Sequence, residues 1–99
     1  MFLYRVKVDE LTARSLALLK SDLSKNEHSL RAHCPIREMS VVTDESSARR
    51  QLDIYLAIDD IIDSMQLGRL FGELRSVISK DAHAAKASEP RVVTELIHI

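Results

Sequence analysis

The amino-acid sequence predicts an α+β domain in β-α-β-β-α-β order, with four antiparallel strands in one sheet and two helices on one of its faces. Three observations predict it. Residues 2–8 and 50–58 alternate in direction with period two, as half-buried strands do. Residues 12–25 and 64–79 space their large apolar side chains at helical intervals. A short polar stretch, Asp44-Glu45-Ser46-Ser47, joins two neighbouring strand patterns into a hairpin.

The elements follow in order. Phe2, Tyr4, Val6 and Val8 alternate with Leu3, Arg5 and Lys7 in a first strand. Asp9 is placed to cap a helix, with Glu10 in its first turn, where negative charge suits the helix dipole. Thr12, Leu16, Leu19 and Leu23 then recur at helical spacing to about Lys25. The pattern loosens at Asn26 and leaves a continuation through Leu30 open. Pro35 keeps the residue before it out of a helix. Ile36 to Thr43 reads as a second strand, with Met39 and Val41 on one face. Arg50 to Ile58 is the clearest strand: Leu52, Ile54, Leu56 and Ile58 point one way, and Gln51, Asp53, Tyr55 and Ala57 the other. Asp59, Asp60, Asp63 and Ser64 all suit the N-cap of a second helix ending near Ser79. Its Leu67, Leu70, Phe71, Leu74, Val77 and Ile78 share one face. Residues 80–90 are polar and Ala-rich and are expected to form a mobile connection. Arg91 to Ile99 closes the domain as a last strand.

Right-handed crossovers turn this order into a ferredoxin-like sandwich over residues 1–99, with the first and third strands central. The uncovered sheet face then shows Arg5, Lys7, Gln51, Asp53 and Tyr55, and Arg5 or Lys7 is expected to pair with Asp53 across strands.

Composition narrows the function. The chain has 99 residues, and its 14 Lys and Arg against 15 Asp and Glu leave a net charge of −1, which argues against a strongly basic nucleic-acid binder. A single cysteine, Cys34, excludes an intrachain disulfide and favours a reducing compartment, so a cytoplasmic location is expected. No apolar run approaches the roughly 20 residues that span a bilayer. The charged, alternating N-terminus is unlike a signal peptide.

Few residues point to chemistry. Asp59, Asp60 and Asp63 gather carboxylates that a hard cation could use, but the glycine of an Asp-rich calcium loop is absent, and helix capping accounts for the same residues. His28, His33, Cys34, His83 and His98 lack chelating spacing, and adjacent His33 and Cys34 point apart on an extended chain. With only two glycines, both inside a helix pattern, no Gly-rich phosphate loop forms. Tyr55 is a lone outward aromatic, where base-stacking RNA-binding sheets carry aromatics on both central strands. No cofactor or metal is expected.

Two resemblances bear on function. Arg49-Arg50-Gln51-Leu52-Asp53-Ile54-Tyr55-Leu56, Leu67-Gly68-Arg69-Leu70 and Leu74-Arg75-Ser76-Val77 resemble the second half of an ACT-type regulatory domain. That resemblance spans residues 49–78 and implies a homodimer that senses a small metabolite. ACT domains carry a glycine after the first strand, where this chain has Asp9-Glu10-Leu11. The second is to small CRISPR-associated and antitoxin-type endoribonucleases, similar in Val6-Lys7-Val8-Asp9, a strand ending on an aspartate. It implies metal-dependent RNA cleavage through Asp9.

A short, slightly acidic, motif-poor domain with a complete core is similar in character to bacterial immunity proteins, antitoxins and inhibitors. The leading expectation is therefore a non-enzymatic protein-binding module that blocks a toxin or nuclease. An ACT-like ligand-binding homodimer is second, and the Asp9 ribonuclease third. The expected contact residues are Asp59, Asp60 and Asp63, whose charge suits a basic partner, with Ile61, Met65, Gly68 and Gly72 on the outer face of the second helix. Each of those glycines costs a helix about 1 kcal/mol relative to alanine. Sequence drift, close packing of the first helix through Leu11 and Leu18, or the close approach of another chain would each account for them.

Overall fold

A computed structural model describes residues 1–32, 35–45, 50–58 and 63–98. The elements are β1 (Phe2–Leu11), α1 (Ala13–Arg31), β2 (Ile36–Asp44), β3 (Arg50–Ile58), α2 (Ser64–Ala84) and β4 (Arg91–His98). The strands form one antiparallel sheet in the order β2-β3-β1-β4. The fold is ferredoxin-like, with β1 and β3 central as expected.

Register follows the alternation. Val6 lies opposite Ile54 and Val8 opposite Leu52. Val41 lies opposite Ile54, and Met39 opposite Leu56. These side chains share the helix-covered face and build one core with Leu16, Leu19, Leu23 and Leu30 of α1 and Leu70, Leu74 and Ile78 of α2. A one-residue slip would turn the whole apolar set to the other face, so this burial fixes the register.

The start of α1 differs from expectation. Asp9 does not cap it. Asp9 stays in β1, opposite Arg91, and the strand runs on through a bulge between Val8 and Leu11. Glu10 takes a left-handed φ of 62° there, with its N–H bonded to Asp9 Oδ1 at 2.9 Å. The bulge turns Leu11 into the core, where it is 7% exposed, so Leu11 belongs to a strand and not to α1. Thr12 caps the helix instead: its Oγ1 accepts from the Ser15 N–H at 3.1 Å, and Ser15 Oγ accepts from the Thr12 N–H at 2.9 Å. This reciprocal box satisfies two orphan donors at once, which an aspartate three residues upstream cannot do.

Burial of Leu30 carries α1 on to Arg31, where His28 and Arg31 complement the dipole in its last turn. Helix α2 likewise passes Ser79. The first half of the expected mobile connection is helix, and Asp81 and Ala82 within it are buried. Ala82, Ala84 and Ala85 are strong helix formers, and the end is closed by two backbone bonds, Lys86 N–H to His83 O at 3.0 Å and Ala87 N–H to Ala82 O at 2.9 Å. That is a Schellman closure with Lys86 in the left-handed position, φ 55°.

The helices run antiparallel. Ser29 Oγ donates to Glu73 Oε1 at 2.8 Å, and further along Asp22 meets Asp81. The other sheet face carries Leu3, Arg5, Lys7 and Asp9 of β1 beside Gln51, Asp53, Tyr55 and Ala57 of β3.

Candidate functional site

Asp63 is the capping aspartate of α2. Its Oδ1 accepts from the Gln66 N–H at 2.8 Å, and its side chain is otherwise open to solvent. Asp59, Asp60 and Ile61 lie outside the described residues, as do His33, Cys34, Ser46 and Ser47.

From Asp63 the outer face of α2 runs along Met65, Gly68, Gly72 and Ser76, all exposed. At 100° per residue these four fall on one ridge, opposite Leu70 and Leu74. Met65 is 66% exposed. A Cβ built on Gly68 or Gly72 meets nothing within 4 Å. Among the described residues, helix α1 included, nothing packs on this ridge, so contacts between them do not explain the glycines. Arg69 and Arg75 flank the ridge on either side, both exposed. The described face is thus acidic only at its head, at Asp63, and basic along its length. Sequence reasoning missed these arginines as part of the site; helical phase places them there.

The open sheet face is a second candidate. Arg5 pairs with Glu95 of β4 and not with Asp53, because the register sets them opposite each other on the same face, 2.5 Å apart. The bond to Glu95 holds the guanidinium above its ordinary pKa, and the bond from Arg5 holds the Glu95 carboxyl below its own. Asp53 lies opposite Lys7 in the register, as the second form of that expectation had it, and accepts from Gln51 Nε2 at 2.8 Å on its own strand. Beside this pair, Lys7, Asp9, Arg91, Val93 and Glu95 line a cleft of about 320 Å³ on the open face of the sheet, over the β1–β4 pair. A shallower one of about 240 Å³, lined by Leu3, Glu38, Ser40, Tyr55 and Ala57, lies between β1, β3 and β2. Among the described residues no three His, Cys, Asp or Glu side chains gather where they could hold a metal ion. Among those residues, too, no helix is long and apolar enough to cross a membrane.

No family model matches the chain, and no curated protein matches it. Solved structures do. An ethyl tert-butyl ether d (EthD) family protein from Bacillus halodurans C-125 is similar over 99% of this chain and 100% of its own, with 16% identity and a TM-score of 0.53. An amidase of the hydantoinase/carbamoylase family from Burkholderia multivorans is similar over 98% of this chain at 14% identity and a TM-score of 0.50. A formyltetrahydrofolate deformylase from Pseudomonas putida KT2440 is similar over 98% of it at 13% identity and a TM-score of 0.42. This chain spans 27% of the amidase and 29% of the deformylase. At such identity the likeness to the EthD family protein is one of fold alone, the ferredoxin-like arrangement described above.

Proposed function

We propose that this chain is a non-catalytic protein-binding module acting as an inhibitor of a toxin or nuclease, and that it engages its partner through the outer face of α2. The observation that carries this reading is the pair of glycines at 68 and 72, both facing open space. Two helix-weakening residues one turn apart, with no packing neighbour among the described residues, suit a ridge that a second chain approaches closely. Arg69 and Arg75 give that contact a sign, and carboxylates of the partner would lie against them. Such contacts speed association and weaken with salt.

The test uses toxins and nucleases encoded beside this chain. Inhibition is measured with the intact protein and with Gly72→Arg, whose side chain has room in the folded domain. Loss of inhibition by a folded Gly72→Arg supports the reading. Full inhibition by the variant moves the contact elsewhere, and no inhibition by the intact protein removes the reading.

The cleft over the β1–β4 pair favours an ACT-like role as a second reading. Lys7 and Arg91 beside Asp9 and Glu95 suit a small ligand with both an amino and a carboxylate group. Amino acids that raise the melting temperature of the intact chain, but not of Arg91→Ala, would support it, since a ligand stabilises the state it binds. Magnesium-dependent RNA cleavage abolished by Asp9→Ala would instead favour a ribonuclease.

A further inference from the structure

Asp81 is the one charged side chain buried among the described residues, 3% exposed on the inner face of α2. Its Oδ2 has no hydrogen-bond partner among those residues, and its carboxyl group meets that of Asp22 across the seam with α1. Two carboxylates in contact, one of them out of water, cannot both carry charge: they share a proton or hold a cation. The backbone oxygen of Asp22 is already taken by Asn26 Nδ2 at 2.7 Å, so it adds nothing to a cation site.

We propose that the buried Asp81 keeps its proton and donates a hydrogen bond to the Asp22 carboxylate, a clamp between α1 and the last two turns of α2 that holds in mild acid and loosens toward neutral pH. The charged groups acting on Asp81 are Asp22 from α1 and Lys80 from its own helix. His83 and Glu89, at the same end of α2, face each other at 3.8 Å and are exposed. Burial is the main cause that raises the Asp81 pKa to about 6; the hydrogen bond that protonated Asp81 donates to Asp22, and the charge of Asp22, add to this, and Lys80 opposes it. The sign follows. A carboxyl whose pKa is raised by folding binds its proton more tightly in the folded state. Its stabilisation is complete below the unfolded value of 3.8 and is lost as pH rises through about 6.

The experiment is urea unfolding of the full chain between pH 4 and pH 7, beside Asp81→Asn, which keeps a hydrogen bond to Asp22 without the second charge. The unfolding constant of the wild type should rise roughly 50-fold more than that of Asp81→Asn across this range. Amide exchange over residues 78–84 should quicken toward pH 7 beyond its intrinsic rate in the wild type alone. Should Asp81→Asn fail to fold, Asp22→Asn serves in its place, and a partial flattening is expected, because burial, the larger cause, stays while the charge of Asp22 is gone; a curve unchanged from the wild type would overturn the proposal. Parallel pH curves for wild type and variant would overturn the proposal. So would a wild type that millimolar magnesium or calcium stabilises at pH 7 while the variant does not respond, because the pair would then hold a cation in place of a proton.

Discussion

Replacing Gly68 and Gly72 together by alanine should stabilise this domain and weaken its association with a partner. The magnitude comes from the helix. An exposed interior glycine costs about 1 kcal/mol relative to alanine, because more backbone freedom is lost on folding. Both residues lie inside α2 at ordinary negative φ, and neither new methyl group meets an atom within 4 Å. The two new methyl groups stand one turn apart on an open face with no other neighbour among the described residues, and the combined gain is about 2 kcal/mol, which the two single variants check for coupling. For a domain of this size that corresponds to a rise in melting temperature of roughly 8–15 °C. Urea unfolding should show a higher midpoint with an unchanged slope, since no buried surface is altered. If the proposed partner binds this ridge, its affinity should fall, because two methyl groups would stand where its backbone approaches. A lower midpoint would refute the argument, since it would mean that the ridge packs within the folded domain. A higher midpoint with undiminished binding would keep the helix argument and remove α2 as the contact surface.

Other outcomes follow from the same structure. Thr12→Ala should cost about 1 kcal/mol by opening the capping box, and Asp63→Ala a similar amount at the head of α2; both are read from denaturant midpoints. Asp9→Ala removes no cap, so its helix content by circular dichroism should match the wild type. Lys86→Gly should stabilise by about 1 kcal/mol, because the closure of α2 needs a left-handed residue there, and a lower midpoint would contradict that assignment. Leu23→Ala, at the centre of the core, should cost about 2–5 kcal/mol, the largest loss among these substitutions. The contribution of Glu95 should disappear as pH falls below the ordinary carboxylate range, and a Glu95→Gln variant should lack that part of the acid response.

The sheet was legible because its information is local. Alternation at 2–8 and 50–58 decides which side chains face the helices, and period two leaves no second solution once one face must be dry. The strand order followed from crossover handedness, and the solvent-facing positions of Met65, Gly68 and Gly72 from helical phase. The candidate cluster was legible only in part. Asp63 could be singled out as a cap, but three other residues suited that position equally well from composition alone.

What the sequence by itself determined is the periodicity of each element, and from it the fold and the two faces of every strand and helix. What only the tertiary structure decided is where elements stop and which charges meet. Helix α2 runs past Ser79 because burial of Ala82 by other parts of the chain adds to the helix preference of the local alanines, and that burial no local pattern records. Strand β1 runs past Val8 because β3 and β4 supply partners to Asp9 and Leu11. Arg5 pairs with Glu95, 90 residues away, because strand order brings β4 to its side. Asp22 meets Asp81 because two helices far apart in the chain share one seam. In each case the energy lies in a long-range contact that the chain forms only once it is folded.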